Sequence, residues 1–222
     1  MDKLLRFRKD FKEIYVGGRW WPIEASFEDT NPSDNSLWAT VPDVEVKDVQ
    51  NAITSADHAF ENWSNLKFNE RSHYMIKIAE VLEENKMDIV KALRAEAGGW
   101  FGKAMFEAGY LPELFHAAAA ANYQAIGEVI PSDSGKFSMA VRRPIGVISV
   151  ISPWNFPCIL TARGMAFALA AGNTVVLKPS EETPYTGGLL WAEIFEEAGV
   201  PGGVLNVVTC SRENVAEVGT EL

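Results

Sequence analysis

Cysteine is scarce in this 222-residue chain. There are two, Cys158 and Cys210, and no C-x-x-C pair. That argues against a disulfide framework and fits a reducing compartment, so the protein is expected in the cytoplasm. Histidine is also sparse: His58, His73 and His116 are scattered. Without clustered thiols or imidazoles, no protein metal site is expected. Positive charge is in deficit as well, with 20 Lys and Arg against 30 Asp and Glu and a net charge of −10. A chain this acidic is repelled by phosphate backbones and anionic lipid, so neither nucleic acid nor membrane is an expected partner. No apolar run is long enough to span a bilayer. The opening stretch, MDKLLRFRKDFKEIYV, is charged throughout and has no apolar signal-peptide core.

What remains is an ordinary globular composition, 47% hydrophobic and 23% charged, with enough length for a sizeable core. Residues 14–42 alternate apolar and polar around Gly-Gly and Asn-Pro turns, which predicts short antiparallel strands. Val46, Val49, Ile53, Ala56, Phe60 and Trp63 then recur at helical spacing and define one amphipathic face. A second helical pattern covers 69–98, with Gly98-Gly99 as its stop signal. A third covers 103–127, where Pro112 is expected to kink or split it. Residues 128–143 are polar and extended and predict a hairpin or arm.

From 145 onward the pattern is regular. Apolar strand IGVISVI, strand NTVVLKP and strand GVLNVVT alternate with helical stretches. Such β-α-β-α-β-α order predicts parallel strands with right-handed crossovers, buried on both faces. The fold class is therefore α/β: N-terminal strands and helices, then half of a doubly wound, Rossmann-like sheet. Three units are expected: 1–127, a 128–143 arm, and 144–222. In such sheets ligands bind beyond the carboxyl ends of the strands. Here those ends are Ile151–Asn155, Lys178–Glu181 and Thr209–Cys210.

The first strand end reads Ser-Pro-Trp-Asn-Phe-Pro rather than G-x-G-x-x-G. Two prolines stiffen it. Asn155 offers an uncharged donor suited to a developing oxyanion, or else satisfies its own turn. Trp154 either packs on a ligand or fills core. At the second strand end, Lys178 and Glu181 suit the hydroxyls of an adenosine ribose. The alternative is a solvated charge pair with Ser180 or Thr183 capping the next helix. Cys158 begins a predicted helix, where a thiol pKa can fall, but no partner base is placed near it by sequence.

Three stretches in this order and spacing, VRRPIGVISVISPWNFP, ALAAGNTVVLKPSEETP and FEEAGVPGGVLNVVT, resemble the aldehyde dehydrogenase superfamily. YVGGRWW, AITSADHAFENW and ERSHYMIKIAEVLEEN resemble its N-terminal elements. The resemblance implies that the Asn155 amide holds the oxyanion, as the catalytic residue of this chain. It implies that the backbone of Ile151, Ser152, Pro153, Trp154 and Asn155 lines the cofactor groove. Lys178, Pro179, Ser180 and Glu181 would form the ribose turn for NAD, with NADP as the alternative cofactor. The implied reaction is oxidation of an aldehyde to the carboxylic acid through a cysteine thiohemiacetal. Arg163-Gly164 and EAGGWFGKAMFEAGY are similar to members acting on benzaldehyde- or vanillin-type aldehydes.

The superfamily's nucleophilic cysteine and water-activating glutamate have no match in these residues. Cys158 and Cys210 stand where relatives carry apolar or small residues and are expected to be packing residues. The chain is therefore expected to be the N-terminal, cofactor-binding part of such an enzyme and inactive alone. Its 128–143 arm would pair subunits into a homodimer or homotetramer. The alternatives are a non-catalytic binding or oligomerisation module, and an acylating or phosphate-linked reductase of the same superfold.

Overall fold

The two turn-rich stretches near the start fold as hairpins in a computed structural model that describes residues 11–222. The first ten residues of the charged N-terminal stretch, and of the 1–127 unit, lie outside the described residues. The first hairpin pairs β1 (Glu13–Val16) with β2 (Arg19–Pro22) across Gly17-Gly18. The second pairs β3 (Ser26–Thr30) with β4 (Leu37–Pro42). Helix α1 (Val46–Ser64) follows and buries Val49, Ala52, Ala56 and Trp63.

The single helical pattern over 69–98 divides. Helix α2 (Phe68–Glu84) ends and α3 (Lys86–Glu96) begins at Asn85. The Asn85 amide donates to the Val81 carbonyl at 2.9 Å, a local bond that competes with continued helix. Helix α4 (Phe101–Ala121) runs through Pro112 as one element, so the expected split does not occur. The arm is a hairpin of β5 (Gly127–Ile130) and β6 (Ser138–Val141).

The alternating region forms β7 (Val147–Ile151), α5 (Pro157–Ala170), β8 (Thr174–Lys178), α6 (Leu190–Glu197), β9 (Leu205–Val207) and α7 (Val215–Glu221). Strands β7, β8 and β9 pair in parallel, as the pattern predicts. A π-helical turn, Tyr185–Leu189, precedes α6. Its widened backbone has outside partners. Thr161 Oγ1 donates to the Gly187 carbonyl at 2.9 Å, and Cys158 Sγ lies 3.2 Å from that of Thr186.

The sheet is mixed and five-stranded, in the order β2-β1-β9-β8-β7. The edge of β9 is covered by β1, which places Tyr15 opposite Val207. Asn206 holds the join. It accepts the Gly17 N–H at 2.9 Å and donates to the Gly203 carbonyl at 2.8 Å. Beyond β7 there is no further strand among the described residues.

Both faces of the sheet are covered. Val175 and Leu177 belong to the larger core with α2, α4, α5 and α6, while Val176 packs in the smaller one with α1 residues Val49, Ala52 and Ala56. Alternation along one strand thus feeds two layers. Helix α5 lies close on β7: a Cβ at Gly164 would sit 2.8 Å from Val150 Cγ1. No helix among the described residues is long and apolar enough to cross a membrane.

Candidate functional site

The carboxyl ends of β7, β8 and β9 lie side by side because the strands are parallel and in register. Ile151 sits opposite Lys178, and the Ser152 N–H donates to the Lys178 carbonyl at 3.0 Å. The turn after β8 is seated by close packing. A Cβ at Gly188 would lie 2.5 Å from Pro179 Cγ, so only glycine lets the π turn approach. After β9 the chain is tied to the β4–α1 connection. Thr209 Oγ1 donates to the Pro42 carbonyl at 2.7 Å, and the Ser211 N–H donates to Asp43 at 2.8 Å.

These ends open onto a cleft of about 1230 Å³. Trp154, Ser180, Glu181, Glu182, Ser211 and Arg212 line it, and residues of the β3–β4 hairpin form its far wall. Trp154 is 61% exposed there. Ile151, Pro153 and Asn155 are also exposed, around the first strand end, but they are outside the cleft lining. Ser152 is buried below the turn. Thus Trp154, Ser180 and Glu181 share one wall, with Ile151–Asn155 beside it.

Lys178 is only 2% exposed, and its Nζ donates to the Pro179 carbonyl at 2.9 Å. Glu181 pairs with Arg212 at 3.3 Å. Burial pushes the Glu181 carboxyl up, but its own backbone N–H, Arg212, Lys178 and Ser180 together hold it below its usual range. It is therefore ionised and able to accept hydrogen bonds from two hydroxyls. The Thr183 and Ser211 hydroxyls on the cleft wall are buried without a hydrogen-bond partner. A carboxylate and two orphaned hydroxyls on the wall of one cleft fit a polar, hydroxyl-bearing ligand.

Neither thiol is set up as a nucleophile. Cys158 is fully buried, and burial pushes its pKa well above the usual value, with the Glu107 and Glu96 charges adding to it. The helix N-terminus that could have lowered it is already occupied by Glu107. That carboxylate accepts the N–H groups of Cys158 at 2.8 Å and Ile159 at 3.2 Å. Burial also raises Cys210, against the opposing influence of Lys178.

Sequence reasoning misses Arg212, Glu107 and the buried pair Asp29 and Glu96. Arg212 had a usable signal, two residues past the third strand end. Glu107 and Asp29 had none, because their partners are distant in sequence.

Half of a doubly wound sheet, with the carboxyl ends of its parallel strands opening on one cleft, defines a Rossmann-like class of α/β protein. The profile of the aldehyde dehydrogenase family matches residues 20–221, and the chain belongs to that family. It is 36% identical over 211 residues to the mitochondrial succinate-semialdehyde dehydrogenase of Rattus norvegicus, covering 95% of this chain and 40% of the rat protein. Among solved structures, it is similar to an NAD-dependent benzaldehyde dehydrogenase from Corynebacterium glutamicum, with a TM-score of 0.88 and 36% identity over 94% of this chain and 46% of that one. It is also similar to an NADP-dependent enzyme of E. coli, with a TM-score of 0.89 and 31% identity over 95% and 44% of the two chains. The chain thus spans about two fifths of the length of the curated relatives it matches.

The expectation of a cytoplasmic protein is corrected by these relatives. The succinate-semialdehyde dehydrogenases of rat, mouse, human and other primates are mitochondrial proteins by name. Scarce cysteine reports reducing conditions, and it does not distinguish one reducing compartment from another.

Proposed function

We propose that this chain is the dinucleotide-binding half of an aldehyde dehydrogenase that uses NAD, with NADP as the alternative. The observation that carries the proposal is the meeting of Trp154, Ser180 and an ionised Glu181 in one cleft at the carboxyl ends of parallel strands. Glu181 accepts the adenosine ribose hydroxyls. Lys178 supports the turn from below, through the hydrogen bond from its ammonium to the Pro179 carbonyl. Pro179 and Ser180 shape that turn, while the backbone of Ile151, Ser152, Pro153 and Trp154 forms the adjoining groove. The chemistry a bound dinucleotide supplies is acceptance of hydride. Asn155, exposed in its stiff turn, donates its amide to the oxyanion formed when a thiolate adds to the aldehyde carbonyl.

An aromatic aldehyde is the substrate favoured by the Arg163-Gly164 pattern and by the likeness to a benzaldehyde dehydrogenase. The nucleophile is assigned to neither cysteine of this chain, since both are buried with raised pKa values. The β5–β6 hairpin is the proposed homo-oligomer contact, because it exposes Val129, Ile130, Phe137 and Met139 together. That apolar hairpin also favours a second reading, in which the chain acts as a non-catalytic oligomerisation module.

Titration of the 222-residue chain with NAD, followed calorimetrically, tests the first reading. Glu181→Ala is expected to weaken binding by roughly tenfold, as loss of hydrogen bonds to a charged group implies. Absence of dinucleotide binding by the unmodified chain overturns it.

A further inference from the structure

An oxyanion donor has to stay open toward its substrate, so the backbone on either side must hold its aim. Upstream of Asn155 that hold is the sheet, where the Ser152 N–H donates to the Lys178 carbonyl at 3.0 Å. Downstream, Phe156 is the N-cap of α5, and its side chain makes no capping bond. Pro157 follows and has no N–H to give. The next two N–H groups, of Cys158 and Ile159, are the ones that Glu107 accepts from α4. Lys103, one turn before Glu107 on α4, reaches both parts of this arrangement. Its Nζ lies 3.2 Å from Glu107 Oε2 and 4.5 Å from the centre of the Phe156 ring, which also packs on the larger core. The Lys103 side chain is 22% exposed and that of Glu107 is 0%, so water screens the pair far less than a surface ion pair. Burial pushes the Glu107 carboxyl up, and Lys103 is the largest influence opposing that.

Resting on the oxyanion role read for Asn155, we propose that Lys103 is a positioning residue for the reaction, holding the Asn155 turn through Phe156 and Glu107. The residue after Asn155 is fixed by its ring, and the helix beyond is fixed by its first N–H groups. One ammonium stands between the two. The attraction between a cation and a ring grows where the cation is partly dried, as it is here. The same charge keeps Glu107 in the form that accepts two N–H groups strongly. Removing the ammonium loosens both holds together, and the Asn155 amide then points over a wider range. Lys103 acts on the reacting atoms only through that turn.

Amide hydrogen exchange of the 222-residue chain tests the hold. Lys103→Met keeps the apolar stem and removes the charge. Exchange at Phe156, Cys158 and Ile159 should then quicken by roughly tenfold, as loss of one charge-assisted contact implies. Lys103→Arg keeps a cation for both partners and should stay within about threefold of the unmodified chain. Unchanged exchange in Lys103→Met, or equal quickening across the whole chain, overturns the proposal. Kinetics of an active aldehyde dehydrogenase containing this chain test the consequence. Lys103→Met should lower kcat by roughly tenfold and leave the KM for the dinucleotide within about twofold, while Lys103→Arg restores kcat. Added to Asn155→Ala, Lys103→Met should cost less than about twofold more. Unchanged kcat in Lys103→Met, or a full additive loss in the Asn155→Ala background, overturns the positioning role and leaves the oxyanion role of Asn155 standing. Unchanged turnover in Asn155→Ala alone overturns the oxyanion reading, and the positioning role with it.

Discussion

The Glu107 carboxylate, on α4, accepts the backbone N–H of Cys158 at 2.8 Å, 51 residues along the chain. The contact caps α5, the helix that begins two residues after Asn155. Lys103 completes it, pairing with Glu107 at 3.2 Å and lying 4.5 Å over the Phe156 ring. Burial raises the Glu107 carboxyl, against Lys103 and the two N–H donors, which favour its ionised form. The turn carrying Trp154 and Asn155 is thus gripped from below by a helix that meets it only in the folded state.

Glu107→Ala is expected to destabilise the chain by on the order of 2–4 kcal/mol, because it orphans two buried N–H groups and a half-shielded ammonium. Glu107→Gln retains an acceptor and should cost about half as much. Urea unfolding at constant m measures both. A loss below about 0.5 kcal/mol for the alanine variant would remove the cap from the account.

Asp29 and Glu96 predict a pH dependence. Glu96 accepts the Tyr185 N–H at 2.7 Å and the Thr186 N–H at 2.8 Å, so it anchors the π turn. Burial, then the Glu96 charge, pushes Asp29 up to about 9, and the pair shares a proton donated by Asp29. A carboxyl whose folded pKa is raised binds its proton more tightly when folded. Its contribution is complete below the ordinary value of 3.8 and is lost as pH rises through about 9. Stability should therefore decline across that window. Asp29→Asn keeps a neutral donor and should flatten the slope of Tm against pH between 3.8 and about 9, the window those two values set. Parallel Tm profiles for the two proteins would contradict the shared proton.

Asn155 carries a kinetic prediction. In an active aldehyde dehydrogenase containing this chain, Asn155→Ala should lower kcat by roughly 10²–10³, the usual loss for one oxyanion donor. The loss should fall on kcat rather than on dinucleotide affinity, since Asn155 lies outside the cleft lining. Steady-state kinetics and NAD titration of the same variant separate the two. Unchanged turnover would take Asn155 out of the chemistry.

Much of this was legible beforehand. The β-α alternation after residue 145 gave the parallel order of β7, β8 and β9, because covered strands need continuous apolar runs and crossovers have one hand. The strand ends, and with them Trp154, Lys178 and Glu181, followed from that order. The break at Asn85 was hidden because its apolar spacing continues across it. The persistence of α4 through Pro112 was hidden because packing overrode a local cost.

The sequence by itself determined the local elements, the parallel core of the sheet and the candidate ligand-facing turns, since periodicity and turn chemistry act over a few residues. Only the tertiary structure decided that β1 closes the β9 edge, that Glu107 caps α5, and that Arg212 is the cation beside Glu181. Each depends on residues 31 to 192 positions apart, whose meeting is set by packing and not by any local pattern.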